Sequence, residues 1–156
     1  MQTVPNLTDL LRSCQILPDL TARTKKAVLE ELCSPALALA PGLCLSLLMN
    51  VLQERERLGS TGIGDGVAIP HGKLTALERL ILVFGRSRDG IDFDSLDGRP
   101  AHLFFLVLAP GDSAGIHLKA LARISRLLKS QSVRSELMRA MDAKQILNII
   151  KTQETL

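Results

Sequence analysis

The chain has 156 residues, of which 46% are hydrophobic and 22% are charged. This length and balance predict one folded domain over residues 1–156, with a sizeable core, and argue against disorder. The sequence has no tryptophan or tyrosine and a formal net charge of only +3. It therefore lacks the aromatic platforms on which single-stranded nucleic acids or sugars stack, and its charge does not require a nucleic-acid partner.

The sequence also indicates the compartment. The N-terminus has no basic stretch followed by an apolar one, and no apolar run reaches the roughly 18 residues that span a bilayer. Cys14, Cys33 and Cys44 form no CxxC pair and are predicted to be small core residues in a reducing environment. We therefore expect a cytoplasmic protein without membrane insertion.

Helices are predicted in the N-terminal third. Residues 7–13 (LTDLLRS) read as a short opening helix. A longer helix is predicted from Thr24, and Pro35 is expected to end or kink it. The next helix is predicted to have Pro41 in its first turn and to stop at Gly59.

Apolar strands and then further helices follow. The runs 80–87 (LILVFGRS) and 101–110 (AHLFFLVLAP) are flanked by glycine, proline and aspartate and predict buried strands, with a short strand at Ile91–Phe93 between them. Three helices are predicted after them, the first capped by Asp112 or Ser113. This order predicts an α/β fold with a single mixed β-sheet flanked by α-helices.

Residues 59–74 (GSTGIGDGVAIPHGKL) place four glycines within eight residues, just before a histidine. The spacing matches neither a P-loop, since the Gly-Lys pair is followed by Leu74, nor a dinucleotide-binding fingerprint. Pro70 restrains the preceding residue to an extended conformation, so VAIP is predicted to be a strand that presents His71 near its end. Gly72 is expected to leave the imidazole approachable.

Four further residues are predicted to lie near this histidine. Arg55, Ser60 and Thr61, together with bare backbone amides, offer the donors of an anion site, above all for phosphate. His117 lies near a helix N-terminus, which disfavours imidazolium, so it should stay neutral and donate a hydrogen bond. Taken singly, each residue also has a purely structural interpretation. Together with His71 they indicate phosphoryl transfer to a neutral imidazole, which needs no metal and no other cofactor.

These residues resemble the enzyme IIA (EIIA) domains of the mannitol/fructose class in the bacterial phosphoenolpyruvate phosphotransferase system. The resemblance rests on Arg55-Glu56, GSTGIG, the motif G-x-A-I-P-H-G-K-L and the pair His117-Leu118, and it covers nearly the whole chain. The nitrogen-regulatory branch (EIIA-Ntr) is the most similar. The resemblance implies that His71 is phosphorylated, that His117 contacts the phosphoryl group, and that the matched arginine, serine and threonine bind phosphate.

The resemblance also implies partners. The donor would be a histidine-phosphorylated carrier protein of the HPr/NPr type, and the output would be regulation of other proteins, including potassium-transport and nitrogen-control components. Asp65 stands where the family often has asparagine, and we expect it to be a turn residue.

Three alternatives remain open. The chain could pass its phosphoryl group to a separate IIB domain for uptake of a fructose- or mannitol-type sugar. A metal hydrolase could combine His102 with the two histidines already named, although no pair has H-x-x-x-H spacing. A nucleic-acid module could use the basic stripe Lys119, Arg123 and Arg126, although a solvated helix face explains that stripe equally simply.

Overall fold

The computed structural model describes residues 6–154. Within them six strands form one sheet: β1 (Ile16–Leu17), β2 (Gly62–Gly64), β3 (Val67–Ala68), β4 (His71–Leu74), β5 (Ile81–Ile91) and β6 (Ala101–Pro110). The helices of the same part of the chain are α1 (Leu7–Leu10), α2 (Lys25–Leu39), α3 (Leu45–Arg57), α4 (Ala114–Lys129), α5 (Gln131–Arg139) and α6 (Ala143–Glu154). None of these helices combines the length and apolar character needed to cross a bilayer.

The sheet is mixed and is built around β6. Strand β5 pairs with one edge of β6 in antiparallel register, and β1 lies parallel to β5. Strands β3 and β4 both pair with the other edge of β6, in parallel, and β2 pairs with β3 antiparallel. The predicted α/β architecture, one mixed sheet flanked by helices, is confirmed.

Strand β6 is apolar on both faces because helices cover both sides of the sheet. Successive side chains of a strand point to opposite faces, so its residues divide between two cores. One core contains α1, α4, α5 and α6, and the other contains α2 and α3. The first receives Leu103, Phe105 and Val107, and the second receives Phe104, Leu106 and Leu108.

Several predicted boundaries were wrong. The opening helix, predicted over residues 7–13, ends at Leu10. Helix α2 begins as expected after Thr24, whose hydroxyl accepts from the amide of Ala27, but it continues through Pro35. Pro35 has no amide hydrogen to donate to the carbonyl four residues earlier, so the helix continues past it at the cost of one internal hydrogen bond. Helix α3 begins at Leu45 rather than near Pro41, which lies in a turn. Of the strand predicted at Ile91–Phe93, only Ile91 lies in a strand, where it is the last residue of β5.

Cysteine burial differs from the prediction. Only Cys33 is buried, and this burial, followed by the charge of Glu30, raises the pKa of its thiol to about 12. Cys14 and Cys44 are exposed, which corrects their expected core position. Both lie at turns, one in the short 3-10 segment Ser13–Gln15 and the other at the N-cap of α3, where the chain is at the surface.

A fully buried arginine ties the helical layer to the sheet. Arg86 of β5 is 0% exposed. Its Nε donates to the carbonyl of Pro18 at 2.9 Å and its Nη1 donates to the carbonyl of Leu137 at 2.8 Å, with a further bond to Ala140. It therefore satisfies carbonyls that helix α5 leaves unpaired at its C-terminal end.

Replacing Arg86 with methionine should lower the free energy of unfolding by about 3–5 kcal/mol, because several buried carbonyls lose their donors. Urea unfolding measures the loss. Arg88→Met, two positions along the same strand at an exposed site, should change it by less than about 0.5 kcal/mol. Equal effects of the two substitutions would contradict this role of Arg86.

Candidate functional site

His71 is the first residue of β4, not near the end of the preceding strand as predicted. Pro70 has no amide hydrogen to donate to a neighbouring strand. The parallel pairing with β6 is therefore interrupted after Ala68 of β3 and begins again at His71 of β4. The carbonyl of Pro70 still accepts from the amide of Val107 at 3.0 Å, which holds the break against β6. The histidine thus begins a short strand at the edge of the sheet, where its ring is half-buried.

Gly72 serves helix packing rather than the approach of a partner. A Cβ at this position would lie 2.5 Å from Cγ1 of Val51 on α3. The expectation that this glycine keeps the imidazole approachable was therefore wrong. Its lack of a side chain lets α3 lie close against β4, and the last turn of α3 carries Arg55. Because strand residues alternate, His71 faces the opposite side, where α4 lies.

Arg55 and a backbone carbonyl fix the tautomer of His71. Nε of Arg55 lies 3.2 Å from Nε2 of His71, and Nδ1 of His71 lies 2.7 Å from the carbonyl oxygen of Ile69. The carbonyl can only accept, so Nδ1 carries the hydrogen and donates it. The guanidinium can only donate, so Nε2 presents its lone pair. The neutral imidazole therefore has its nucleophilic nitrogen directed toward the arginine.

His117 approaches the same imidazole from the start of α4. The two ring centroids are 5.3 Å apart, and the rings meet edge to face at 67°. His117 is only 5% exposed, and its Nε2 has no hydrogen-bond partner within the part of the chain that the structure describes. An unpaired buried polar nitrogen is costly, and such groups are expected where a ligand completes the bonding. The structure thus brings Arg55, His71 and His117 together.

The fold lowers the pKa of both histidines, which favours their neutral forms. Burial is the main cause that lowers the pKa of His71; the Arg55 charge lowers it further, while the hydrogen bond to Ile69 and the charge of Glu56 oppose the shift. Burial, followed by the charges of His71 and Lys73, lowers the pKa of His117 to about 4. Lys73 is exposed and follows His71 by two positions, which places both residues on one face of β4.

This depression of the pKa makes stability dependent on pH. The unfolded chain should protonate its histidines near the ordinary value of 6.5, whereas folded His117 resists protonation down to about pH 4. Between these values the unfolded state binds more protons, so the free energy of unfolding should fall as the pH falls. Urea unfolding across this range measures the slope. His117→Gln should make it shallower, and an unchanged slope would contradict the neutral state of folded His117.

Ser60 and Thr61 lie beside the site, but their hydroxyls have protein partners. Ser60 Oγ donates to the carbonyl of Phe93 at 2.7 Å. Thr61 is buried, its hydroxyl donates to Glu56, and its amide donates to Oε1 of Glu56 at 3.0 Å. Lys25 completes this group with an ion pair to the same carboxylate at 3.0 Å. Phosphate binding by Ser60 and Thr61 stays a prediction, and it requires them to exchange these partners.

Glu56 is a residue whose role the sequence analysis missed. Its carboxylate holds Thr61, and the carbonyl of Thr61 accepts from the amide of Ile69 at 3.0 Å. The carbonyl of Ile69 in turn accepts from the ring of His71. A chain of hydrogen bonds therefore links the end of α3 to the imidazole. The only sequence signal was the position of Glu56 directly after Arg55.

The glycine segment offers fewer bare amides than expected. The amide of Gly62 donates to Oγ of Ser60 at 3.0 Å, and the amide of Asp65 donates to Oδ2 of Asp97 at 3.0 Å. Asp65 has a φ of 57°, so it is a turn residue as predicted. These residues therefore form the tight turn between β2 and β3, and the amides of Gly62 and Asp65 are not available to bind an anion.

The structure separates His102 from the other two histidines. His102 lies near the start of β6, whereas His71 pairs with Val107, five residues further along the same strand, or roughly 16 Å away. Nδ1 of His102 lies 2.9 Å from the carbonyl of Ser87. The three-histidine metal hydrolase is therefore ruled out by this distance. The stripe on α4 is solvated at Lys119 and Arg126, which are both exposed.

An edge-strand histidine held between an arginine and a second histidine, on a mixed sheet covered by helices, matches one class of protein. The chain belongs to the EIIA 2 family of the phosphoenolpyruvate-dependent sugar phosphotransferase system, whose family model matches residues 9–153.

The chain is also similar to individual proteins of known description. The chain is 45% identical over 144 residues to a nitrogen regulatory protein of Bradyrhizobium diazoefficiens, covering 92% of this chain and 94% of the relative. It is 34% identical over 148 residues to a fructose-specific EIIABC component of Bacillus subtilis, covering 95% of this chain but 23% of that protein. The crystal structure of nitrogen regulatory protein IIA-Ntr from Neisseria meningitidis superimposes with a TM-score of 0.87 at 32% identity, covering 92% and 98% of the two chains.

Proposed function

We propose that this protein is a phosphoryl carrier of the bacterial phosphotransferase system that accepts a phosphoryl group on Nε2 of His71. The single observation that carries the proposal is the hydrogen-bonding of the imidazole. Nδ1 is bound to the carbonyl of Ile69, and the lone pair of Nε2 is directed toward Arg55. A neutral imidazole with one nitrogen fixed and the other available is a ready nucleophile.

The transfer step follows from this arrangement. The lone pair of Nε2 forms a bond to phosphorus while the phosphorus–nitrogen bond of the donor's phosphohistidine breaks. The departing donor nitrogen takes the bonding electrons, and the hydrogen of His71 stays on Nδ1, which donates it to the carbonyl of Ile69. Nε of Arg55 loses its acceptor and can donate to a phosphoryl oxygen instead. Buried His117, with its unpaired Nε2, can complete the bonding of another oxygen.

The donor in this proposal is a small phosphohistidine carrier protein of the HPr/NPr type, and the phosphorylation state of the chain regulates other proteins. Potassium-transport and nitrogen-control components are the proposed targets. The match to proteins described as nitrogen regulatory, over 94% of the length of one of them, supports regulation. The alternative is transfer to a separate IIB domain, and the match to part of a fructose-specific EIIABC component favours it less strongly.

Incubation with phosphoenolpyruvate, enzyme I and the small carrier tests the proposal. The chain should gain one phosphoryl group that is labile in acid and stable in alkali, measured by intact mass. Absence of labelling under conditions where the carrier is fully phosphorylated would contradict it. A fructose-class IIB domain, added to the phosphorylated chain, separates the two outputs. Retention of the phosphoryl group supports regulation, and efficient transfer supports the sugar-uptake alternative.

A further inference from the structure

A basic cavity lies at the end of β6 remote from His71. It has a volume of about 830 Å³ and lies between the start of β6, the turn joining β2 to β3, and helix α5. This volume is within the range of small-molecule sites, roughly 300–1,000 Å³. Its wall includes His102, which the function proposed above does not use.

Three guanidinium groups dominate the charge of the cavity, those of Arg99, Arg134 and Arg139. One carboxylate, that of Asp65, also lines it, so three positive charges against one negative leave a balance of two positive charges. Arg139 is exposed and makes no hydrogen bond or ion pair within residues 6–154. An unpaired guanidinium beside two others is arranged for an external anion rather than for internal stability.

Arg134 is fixed in place by the end of helix α4. Its Nη1 donates to the carbonyls of Leu128 and Lys129, both at 2.8 Å. These bonds hold the guanidinium in one orientation, so it loses little conformational freedom when a ligand binds. Its other nitrogens keep their donor capacity, because a guanidinium has five N–H groups.

The position of His102 depends on two glycines. A Cβ at Gly90 would lie 2.8 Å from Cε1 of the imidazole, and one at Gly66 would lie 3.6 Å from its Cδ2. Both glycines have positive φ, +87° and +77°, which other residues adopt only with strain. The backbone therefore makes room for this ring. Its Nδ1 lies within hydrogen-bond distance of the carbonyl of Ser87, and its Nε2 makes no hydrogen bond within residues 6–154.

We propose that this cavity is a second binding site, for a small phosphate monoester that carries a partly apolar organic group. Three guanidinium groups offer more hydrogen-bond donors than the two oxygens of one carboxylate can accept. A phosphate monoester offers three oxygens and up to two negative charges. Pro100 and Met138 supply an apolar wall for the organic group. His102 and Asp65 can accept hydrogen bonds from its hydroxyls.

The cavity is connected to the strand that supports His71. The carbonyl of Gly66 accepts from the amides of His102 and Leu103, at 2.8 and 2.9 Å. The same strand, β6, pairs with His71 further along. Binding at the cavity nevertheless involves no atom of His71, so it can be tested separately from phosphoryl transfer.

Titration of the ¹⁵N-labelled full chain with phenyl phosphate, followed by amide chemical shifts, tests the site. The shifts should saturate, with the largest changes at Gly66, His102 and the amides of α5. Inorganic phosphate should bind the same residues about tenfold more weakly, because it lacks the apolar group. Absence of saturable shifts up to about 20 mM, or shifts centred on His71 and Gly72, would overturn the proposal.

Matched variants separate the cavity from general charge. Arg139→Gln should weaken phenyl phosphate binding about tenfold, and combination with Arg99→Gln should abolish it. Arg126→Gln removes the same charge from an exposed position of α4 outside the cavity and should leave the affinity within about twofold. His71→Ala should bind phenyl phosphate as the wild type does. Equal weakening by Arg139→Gln and Arg126→Gln would refute the site.

Discussion

Replacing His71 with alanine is expected to abolish phosphoryl acceptance from the phosphorylated small carrier. The substitution removes Nε2, whose lone pair accepts from Arg55, together with Nδ1, which donates to the carbonyl of Ile69. Because His71 is half-buried at the edge of the sheet, the fold should persist. Intact-mass measurement after incubation with phosphoenolpyruvate, enzyme I and the carrier should give no added phosphoryl group.

His102→Ala is the matched control for this experiment. His102 is also a partly buried histidine whose Nδ1 is bound to a backbone carbonyl, that of Ser87. Its loss should leave phosphoryl acceptance intact, because it lies roughly 16 Å along the sheet from His71. Persistent labelling of His71→Ala would refute the assignment of His71, and loss of labelling in His102→Ala alone would transfer the assignment to that residue.

Replacing Arg55 with alanine is expected to slow phosphoryl acceptance by about 100- to 1,000-fold, the usual cost of losing one donor to developing charge. Nε of Arg55 is 3.2 Å from Nε2 of His71, the proposed phosphoryl acceptor, and its Nη1 donates to the carbonyl of Gly59 at 2.9 Å. The side chain is therefore held beside Nε2 of His71, where the proposed phosphoryl group would bind. Single-turnover transfer from the phosphorylated carrier, followed by rapid quench, measures the rate. We expect His117→Ala to slow the same step.

Arg57→Ala serves as the control, because Arg57 ends the same helix but is exposed and paired with Glu54. It should change the rate by less than about twofold. Arg55→Lys keeps the charge but loses the planar donor group, so its rate should lie between those of the wild type and Arg55→Ala. A wild-type rate in Arg55→Ala, or an equal loss in both alanine variants, would contradict a direct contact with the phosphoryl group.

Sequence patterns predicted the central elements well because each is specified locally. The apolar runs that become β5 and β6 are long enough, and flanked by enough turn residues, to be read as buried strands. The neighbourhood of Arg55, His71 and His117 was predicted from residue chemistry and from resemblance to a family. Helical or strand periodicity alone does not bring together residues 62 positions apart, as His117 and Arg55 are in the chain.

The errors arose where tertiary packing decides the outcome. The sequence suggested that Gly72 leaves room for a partner at the imidazole. In the structure the space beside Gly72 is filled by Val51, which is adjacent only because α3 packs on β4. Pro41 has the preference of a helix start, yet α3 begins at Leu45. The hydroxyls of Ser60 and Thr61 were predicted to bind phosphate. In the folded chain they donate to the carbonyl of Phe93 and the carboxylate of Glu56, and the sequence pattern does not show these contacts.

The ring nitrogen that carries the phosphoryl group decides whether His71 accepts it through Nε2. The hydrogen bond from Nδ1 to the carbonyl of Ile69 leaves only Nε2 for the bond to phosphorus. Nuclear magnetic resonance of the phosphorylated chain, labelled with ¹⁵N in histidine, identifies the nitrogen coupled to ³¹P. We expect coupling to Nε2 of His71. Coupling to Nδ1 of His71, or to a nitrogen of His117 or His102, would contradict it.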